Sequence, residues 1–439
     1  MNAFEDMLVS SDVAKYIVPD NRVIMILRVS KAVNTALKTR QMSVAIKAKY
    51  GTTTQVLMHE LDAIRKCMEI TSADFTNVRI TNHGVPRLVE ILQYCPYIAC
   101  LNLEANLVGP EGMEGLATVL PHCTALTNLY LGHNKLGDKG AETLAAVLPQ
   151  CKSLVQLRIK GNKITDGGMY RLSTALPQCQ SLALLYIADN LITARGAGMV
   201  AAVLPYCASL VDLNLGFNNI GATGAARLAE VLSQCASLVH LDLYRCNFGA
   251  GGMASLATAL PRCSSLTHLD ISHNLIRDAG AERLAAVLPA CASLARLNIS
   301  ANAIGPTGVR KLAAILWQCK SLVDLRLGMN LIGDEGAETL AVVLGQSASI
   351  VYLNLNNNHI TPHGVGILLA VLPQCKSLAH LDLFYNHTDA ACLHTLAGVL
   401  SECQSLAYLN LTSSKKIEEA GRQTLKTLRK QYPQTKIIC

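Results

Sequence analysis

The feature that most constrains this chain is a cysteine that returns every 28 residues. Eleven cysteines keep this spacing, and Ser347 fills the one gap in the series. They are Cys95, Cys123, Cys151, Cys179, Cys207, Cys235, Cys263, Cys291, Cys319, Cys375 and Cys403. Self-similarity at a fixed period indicates a solenoid, in which each repeat packs on its neighbours. A repeat array also explains a length of 439 residues, which exceeds the usual size of a single domain.

Each repeat contains a strand pattern followed by a helix pattern. In the second repeat Leu129 and Leu131 alternate with outward residues, which is the periodicity of a strand. Ala141, Leu144 and Leu148 then recur at the spacing of a helix with one buried face. Pro follows the last helical Leu in seven repeats. We expect the helix to end there, because the residue before Pro disfavours the helical region.

Two further positions recur with the same period. An asparagine ends the strand motif L-x-x-L-x-L-x-x-N in ten repeats, and we call this the ladder position. Its residues are Asn106, Asn134, Asn162, Asn190, Asn218, Asn274, Asn302, Asn330, Asn358 and Asn386, with Cys246 and Ser414 in the other two repeats. An amide can satisfy the backbone groups left unpaired where a strand turns into its loop. A glycine six residues later, in ten of twelve repeats, predicts a turn or a close backbone approach.

These motifs resemble the ribonuclease-inhibitor-like class of leucine-rich repeats, which includes the sensor regions of intracellular immune receptors. The resemblance covers residues 78–439 and implies an α/β solenoid. Parallel strands lie about 4.8 Å apart, whereas packed helices need about 8–10 Å. We therefore expect a horseshoe with the parallel sheet on its concave face and the helices on its convex face. The predicted organisation is a helical N-terminal cap at 1–70, the solenoid at 71–414 and a capping unit at 415–439.

The net charge of +7 lies at the two ends of the chain. Residues 1–70 hold ten Lys and Arg against seven Asp and Glu, and residues 415–439 hold seven against two. The predicted solenoid is therefore close to neutral, whereas a protein that binds nucleic acid usually carries a basic stripe. We expect no nucleic-acid partner.

The sequence also predicts a cytoplasmic protein without a membrane partner. No run reaches the roughly eighteen apolar residues of a membrane-spanning helix, and the start MNAFED lacks the apolar core of a secretory signal. Neighbouring cysteines of the series lie one repeat apart, beyond the Cα separation of about 7 Å that a disulfide allows. We expect these thiols to be reduced and buried.

Common catalytic motifs are missing from the sequence. It contains no G-x-x-x-x-G-K-[ST], H-E-x-x-H, G-x-S-x-G or C-x-x-C. We therefore predict no enzymatic activity and no cofactor. One polar group on adjacent predicted strands has the residue types to share a metal ion or a proton: Asp212, His240, Asp242, His268, Asp270, Arg296 and Asp324. Contact with solvent or a partner is the preferred interpretation of this group, and metal binding is the alternative.

The outward strand positions are the candidate binding surface. Eight of 48 such sites are aromatic, against 4% of the whole chain. Aromatic side chains gathered on one face outside the core are typical interface anchors. The candidate partner-binding residues are Tyr130, Arg158, Tyr186, Phe217, His240, Asp242, Tyr244, His268, Asp270, Arg296, Asp324, Arg326, Tyr352, His380, Phe384, Tyr385 and Tyr408. Within this set Tyr352, His380 and Tyr408 share one strand position and are predicted to form a contiguous row.

The first seventy residues lack the repeat and are predicted to be helical. They must at least cover the apolar edge of the first repeat. Residues 13–17 and 26–37 resemble a degenerate F-box, a segment whose helices dock on a ubiquitin-ligase adaptor. This resemblance implies adaptor contact through residues 1–40.

The sequence thus favours a non-enzymatic scaffold that captures a protein partner on the concave face. An F-box-like substrate receptor of a ubiquitin ligase is the first alternative. The second is a GTPase activator, since the Ran GTPase-activating protein has a similar horseshoe.

Overall fold

The computed structural model describes residues 13–17, 23–28, 43–48, 69–413 and 419–439. The chain forms two compact units. Unit 1 consists of Met1–Ile192 and Tyr206–Asn214, and unit 2 of Thr193–Pro205 and Leu215–Cys439. Both units repeat one pattern, a three-residue strand followed by a helix and, in most repeats, a short 3-10 turn. The predicted α/β solenoid of strand–helix repeats is confirmed.

Unit 1 contains strands β1 to β9 and helices α1 to α4. The strands are β1 Val13–Ile17, β2 Val23–Arg28, β3 Ser43–Ala48, β4 Glu69–Asp74, β5 Cys100–Asn102, β6 Asn128–Tyr130, β7 Gln156–Arg158, β8 Leu184–Tyr186 and β9 Asp212–Asn214. The helices are α1 Val85–Leu92, α2 Pro110–Val119, α3 Gly137–Val147 and α4 Asp166–Ala175. From β4 to β9 neighbouring strands pair in parallel, and the paired residues of β4 to β9 are 28 apart in sequence.

The first three strands correct the prediction of a helical N-terminal segment. β1 pairs antiparallel with β2, β2 antiparallel with β3, and β3 parallel with β4. Val and Ile are frequent in these three segments, and β-branched residues favour strands over helices. The helical prediction is therefore wrong for residues 13–17, 23–28 and 43–48. The remainder of the F-box-like stretch, residues 29–37, lies outside the described residues.

Unit 2 continues the pattern with strands β10 to β17 and helices α5 to α13. The strands are β10 His240–Asp242, β11 His268–Asp270, β12 Arg296–Asn298, β13 Asp324–Arg326, β14 Tyr352–Asn354, β15 His380–Asp382, β16 Tyr408–Asn410 and β17 Lys436–Ile438. The helices are α5 Ala194–Val203, α6 Gly221–Leu232, α7 Gly249–Ala259, α8 Arg277–Ala285, α9 Pro306–Ala313, α10 Gly333–Leu344, α11 Pro362–Ala370, α12 Ala390–Val399 and α13 Glu419–Gln431. Each strand pairs in parallel with the next through β17.

The helices of both units are short and bury one side. Among the described residues they range from the eight residues of α1 to the thirteen of α13. In α6 the buried residues include Leu228, Ala229 and Leu232, which lie on one helical face. A helix that crosses a bilayer needs about 20 apolar residues. Across the described residues, none of the helices has that length and apolar content.

The ladder asparagine joins each repeat to the one before it. At Asn302 the Nδ2 atom donates to the carbonyls of Ile271 and Ile299, both at 3.0 Å. Its Oδ1 atom accepts from the backbone N–H of Asn274 at 2.9 Å and of Ile276 at 3.3 Å. Since Asn302 is fully buried, these bonds satisfy backbone groups that water does not reach. The predicted structural role of the ladder is confirmed.

At the ladder position, Cys246 can satisfy fewer backbone groups than an asparagine amide can. Its Sγ atom donates to the carbonyl of Leu215 at 3.4 Å. A thiol has no oxygen that could accept from the two N–H groups of the preceding repeat. The other exception, Ser414, lies outside the described residues.

The recurring glycine marks a close approach and not a turn. Gly168 lies in the first turn of α4 and is buried. A Cβ atom at this position would lie 2.8 Å from Ile164 Cγ2 and 3.1 Å from the Cβ of Ala141 on α3. Of the two reasons predicted for this glycine, close packing is therefore the correct one.

The prolines do not end the helices in the way predicted. Leu120, which precedes Pro121, keeps right-handed helical backbone angles, with φ −52° and ψ −41°. The α-helix ends at Val119, and the chain continues directly into the 3-10 turn Leu120–His122, which contains the proline. Pro is tolerated here because the first residues of a helical turn need no N–H partner.

The cysteines of the 28-residue series close this turn. The Sγ atoms of Cys95, Cys291 and Cys319 each donate to the carbonyl four residues earlier at 3.3 Å. Burial raises the pKa of Cys123 to about 12 and that of Cys319 to about 11. All fifteen cysteines among the described residues are free thiols.

We therefore expect the native thiols to be unreactive. Only the thiolate attacks a thiol reagent, and at pH 8 a cysteine with a pKa of about 11 or 12 is almost entirely protonated. Titration of the native protein with such a reagent should detect few of its sixteen cysteines. In denaturant the number of reactive cysteines should rise toward sixteen. The reaction rate of free cysteine at the same pH serves as the reference for the rates of the protein thiols. Rapid reaction of most thiols in the native protein would contradict this assignment.

Candidate functional site

The outward surface of the strands is formed by the side chains that flank the buried leucine at the centre of each strand. We call it the strand face. In β6, Leu129 is buried, whereas Asn128 and Tyr130 are half-buried. Successive side chains of a strand point to opposite faces, which produces this alternation. Because adjacent strands lie about 4.8 Å apart, side chains at equal positions on paired strands contact one another.

In unit 1 an arginine lies between two tyrosines of the strand face. The guanidinium carbon of Arg158 is 4.4 Å from the ring centroid of Tyr130 and 5.2 Å from that of Tyr186. A cation over a ring face is attracted by the ring quadrupole. The Tyr186 hydroxyl donates to Asp212 Oδ2 at 2.8 Å. Three predicted partner-binding residues, Tyr130, Arg158 and Tyr186, are thus brought together.

The same cluster holds a polar residue that the sequence did not single out. Gln156 is buried on β7, and its side-chain amide lies 2.8 Å from the Tyr130 hydroxyl.

Burial, and then the hydrogen bond to Asp212, raise the pKa of Tyr186 to about 12. The Tyr186 hydroxyl therefore remains a protonated hydrogen-bond donor at neutral pH.

In unit 2 three rings form a continuous stack, which we call the ring row. Tyr352 on β14 and His380 on β15 have centroids 4.2 Å apart with their planes at 23°. His380 and Tyr408 on β16 are 4.0 Å apart with planes at 10°. All three residues occupy the first position of paired strands. The row predicted from the repeat register is confirmed.

A cation lies at each end of the ring row. The guanidinium carbon of Arg326 is 5.2 Å from the Tyr352 centroid, and Lys436 Nζ is 5.8 Å from the Tyr408 centroid. Asp324, 8% exposed, accepts from Arg326 at 3.1 and 2.9 Å and fixes its orientation. Lys436 was not among the predicted residues. Its position 28 residues after Tyr408 was the available signal, because β17 continues the register of the strands.

The imidazole of His380 is held in its neutral form. Burial lowers its pKa and Arg326 lowers it further, whereas Asp382 and Asp324 act in the opposite direction. The net shift is downward from the usual value of 6.5. A neutral imidazole offers one hydrogen-bond donor and one acceptor. At neutral pH the ring row therefore presents only uncharged rings between its two cations.

The residues of the predicted polar group with metal-ligand residue types make several separate contacts. His240 and His268 are in contact in unit 2, with centroids 4.1 Å apart and planes at 67°. Asp242 and Asp270 accept backbone N–H bonds two residues further on, at 2.8 and 2.9 Å. Arg296 is exposed on β12, and Asp324 pairs with Arg326, whereas Asp212 belongs to unit 1. In the described part of the chain, no group of three or more His, Cys, Asp or Glu side chains could hold a metal ion.

A second aromatic group lies where the strands end in unit 2. The rings of Phe217 and Tyr244 are 4.8 Å apart, and those of Tyr244 and His273 are 4.9 Å apart. The guanidinium of Arg245, which was not predicted, lies 5.0 Å from the Phe217 centroid.

Phe384 and Tyr385 form a similar pair, with centroids 5.7 Å apart. All the predicted aromatic residues therefore lie on the strand face or at its edge.

Comparison with known proteins identifies the repeat. The family model described as "Leucine Rich repeat" matches residues 122–145, 150–173, 206–229, 234–257, 262–285, 290–313 and 318–341. None of the curated proteins shows a significant sequence match to this chain.

Among solved structures, the yeast Rad7 and Elc1 complex is similar with a TM-score of 0.50 and 16% identity, over 84% of this chain and 86% of that chain. An internalin (inlF) from Listeria monocytogenes str. 4b F2365 has a TM-score of 0.42 and 17% identity, over 87% and 94%. Leiomodin-1 actin-binding site 2 has a TM-score of 0.31 and 16% identity, over 42% and 96%. At 16% identity the first similarity shows a shared fold and nothing about partners.

The first residues of successive matched segments are separated by 28 residues or by twice that number, in agreement with the period found in the sequence. In the structure each of them spans a parallel strand with a buried central leucine and most of the helix that follows. Repeats of this kind are typical of protein-interaction scaffolds. Between residues 122 and 341, the chain contains seven leucine-rich repeats.

Proposed function

We propose that this leucine-rich-repeat protein is a non-enzymatic scaffold that captures a protein partner on its strand face. The observation that carries the proposal is the ring row of Tyr352, His380 and Tyr408, with centroid separations of 4.2 and 4.0 Å. Large aromatic side chains outside the core are the residues that most often anchor interfaces.

The ring row is suited to binding because its side chains are already ordered. Each ring lies against a neighbouring ring, and the outer faces lie against Arg326 and Lys436. Ordering a flexible side chain at an interface costs about 0.5–1.5 kcal/mol, and stacked rings avoid much of that cost. With the ring faces covered, a partner meets the ring edges, which carry two hydroxyl groups and the imidazole nitrogens.

Replacing the ring row with alanine should abolish most of the partner affinity without unfolding the protein. The variant Tyr352→Ala, His380→Ala, Tyr408→Ala removes anchors whose truncation typically costs about 2 kcal/mol or more of binding. We expect binding of a purified partner, measured by titration calorimetry, to weaken at least about tenfold, the equivalent of about 1.4 kcal/mol. The melting temperature should change little, since all three side chains lie outside the core.

A matched control removes three exposed aromatic side chains away from the strands. Tyr170 lies on α4, Tyr206 precedes β9, and Trp317 lies in the turn after α9; all three are exposed. Their replacement by alanine should leave binding within about twofold of wild type. If this set abolished binding and the ring-row set did not, the strand face would not be the working surface.

The F-box-like receptor is the second candidate. The structure of similar fold contains Rad7 in a complex with Elc1, so this fold is compatible with assembly with a further protein. Under this hypothesis residues 1–40 contact a ubiquitin-ligase adaptor. A chain lacking residues 1–40 should then lose copurification of the adaptor and keep its affinity for a partner of the ring row.

The GTPase-activator alternative is the weaker of the two, since no residue of this chain could be matched individually to that family. Its test is a GTP-hydrolysis assay with and without the purified protein. An unchanged hydrolysis rate across a set of small GTPases would eliminate it.

A further inference from the structure

Seven loops of unit 2, those that follow strands β9 to β15, share an uncommon backbone conformation. Seven four-residue segments, which we call the rim, contain the ladder position: 216–219, 244–247, 272–275, 300–303, 328–331, 356–359 and 384–387. The residue before the ladder position has a positive φ in all seven, from 48° at Asn357 to 59° at Tyr385. Its N–H donates to the next segment, as from Met329 to the Asn356 carbonyl at 2.7 Å. The repeat architecture imposes this conformation.

Four rim residues are poorly suited to that conformation. Phe217, Leu275, Met329 and Tyr385 have φ values of 54°, 55°, 57° and 59°. Left-handed backbone favours Gly, Asn and Asp, and it is an outlier for bulky side chains. The chain itself uses Asn where the conformation recurs, at Asn247 and Asn357.

Burial does not compensate for this strain. The exposed fractions are 41% for Phe217, 53% for Leu275, 47% for Met329 and 53% for Tyr385. A strained residue persists only where something else favours it, and such residues cluster at functional sites. Because these four side chains are largely exposed, folding gains little from them. Contact with a bound partner would compensate for the cost of the strained backbone.

The four residues occur in every second segment of the rim. Phe217, Met329 and Tyr385 stand directly before the ladder position and Leu275 stands directly after it, and the three segments between them carry polar or small residues at both positions. Two repeats advance about 10 Å at the spacing of parallel strands. An α-helix rises about 10.5 Å in seven residues, which is about two turns, and so presents nearly the same face at that interval. In an extended strand, residues on one side recur at about 7 or 13 Å, which does not fit.

Two neighbours widen the strip. Leu331 stands two residues after Met329, and Phe384 precedes Tyr385; both are exposed. An amphipathic helix buries a stripe two side chains wide, at i, i+3 and i+4. A polyproline II segment also repeats at about 9.3 Å, but it offers a single file of side chains on each face.

The charge of the rim is one-sided. None of its seven segments contains Asp or Glu, whereas Arg245 lies within it and Arg277 follows Leu275 by two residues. Asp278 and Asp334, in the loops beyond, accept from the backbone N–H groups of Gly305 and Thr361 at 2.6 and 2.8 Å. Both carboxylates therefore cap the start of the next helix.

We infer that the rim of unit 2 is a docking strip for an acidic amphipathic helix of a protein partner. The helix places one large apolar residue on Phe217, Leu275, Met329 and Tyr385 at each seventh position, and its carboxylates face Arg245 and Arg277. The inference rests on the proposed function, that this chain binds proteins, and it names the chemistry of the segment that is bound.

The first test separates a binding role from a structural one. In the rim variant Phe217→Asn, Leu275→Asn, Met329→Asn and Tyr385→Asn, each residue is replaced by one that adopts left-handed backbone readily. The melting temperature should be equal to or above that of wild type. A clear fall would show that these side chains support the fold, and would overturn the inference.

The second test uses a displayed library of random 28-residue peptides. Peptides are selected on the full-length wild-type chain, and their affinities for the rim variant and the ring-row variant are then compared by fluorescence anisotropy. We expect a class of acidic peptides with apolar residues seven apart and without internal proline. Their binding to the rim variant should be at least about tenfold weaker than to wild type. Their binding to the ring-row variant should stay within about threefold of wild type.

The alternative outcomes have distinct meanings. Failure to enrich this class, or enrichment of basic or proline-rich peptides that depend on the rim, would overturn the inference of an acidic helix. Enriched peptides that lose affinity only on the ring-row variant would also overturn it, while supporting the proposed function. Peptides that bind both variants as well as wild type would count against both.

Discussion

Asn302→Ala is expected to lower the free energy of unfolding by about 3–4 kcal/mol. The substitution leaves the buried N–H groups of Asn274 and Ile276 without the Oδ1 atom that accepts from them. Each unsatisfied buried group costs about 1–3 kcal/mol. The carbonyls of Ile271 and Ile299 lose a donor as well. Urea denaturation followed by circular dichroism measures the change.

The control for this prediction is Asn219→Ala. Asn219 is exposed next to the ladder position, and its Oδ1 atom accepts only from the exposed Asn247 side chain among the bonds that the structure describes, at 3.3 Å. A surface substitution of this kind should stay within about 0.5 kcal/mol. Equal midpoints for the two variants would refute the assignment of Asn302 as the residue that joins adjacent repeats.

Glycine-to-alanine substitution is expected to have opposite signs at two helical positions. At Gly224 on α6 a Cβ atom would overlap Ile220 Cγ2 and lie 3.0 Å from Ala197 Cβ on α5. Overpacking of this type costs about 1–3 kcal/mol. At Gly366 on α11 a Cβ atom would meet nothing within 4 Å. Alanine there should stabilise the protein by about 0.5–1 kcal/mol through its higher helix propensity.

Both glycine variants can be measured in the same thermal and urea unfolding experiments. A loss of stability at Gly224→Ala with a gain at Gly366→Ala would show that the recurring glycine serves packing between helices. A gain at both positions would mean that α5 and α6 can separate without cost, and the close approach would lose its role.

The strand–helix repeat and the ladder were predictable because each depends on residue type at a fixed spacing. Strand and helix periodicities are local, so Leu129 and Leu144 could be assigned to buried faces from the sequence alone. The ring row was predictable for a related reason. Once the 28-residue register is known, Tyr352, His380 and Tyr408 must occupy equal positions on neighbouring strands.

The N-terminal strands were missed because no repeat constrains that segment. Residues 13–17 and 23–28 form an antiparallel pair, and the apolar runs in them suit a short helix or a strand equally well. Pairing with a neighbouring segment decides between the two, and local sequence does not contain that information.

The hydrogen bonds that serine and aspartate side chains make between repeats could likewise not be predicted from the sequence. Ser153 Oγ donates to the Thr124 carbonyl at 2.7 Å, and Ser377 Oγ donates to the Ala348 carbonyl at the same distance. Asp138 accepts from the backbone N–H of Thr165 at 2.7 Å and caps the start of the next helix. The serine and the aspartate can be seen in the sequence, but their partners come from an adjacent repeat.

The sequence by itself therefore determined the repeat, its two layers and the ladder, since these follow from periodicity and from the hydrogen-bonding capacity of an amide. The tertiary structure alone decided which outward side chains meet and which backbone is strained. Lys436 reaches Tyr408 because β17 adds one more strand to the register. Phe217 and Tyr385 are left-handed because the loop geometry of the solenoid requires it, whatever residue occupies the position. Local preference sets the cost of that conformation, and packing between repeats imposes it.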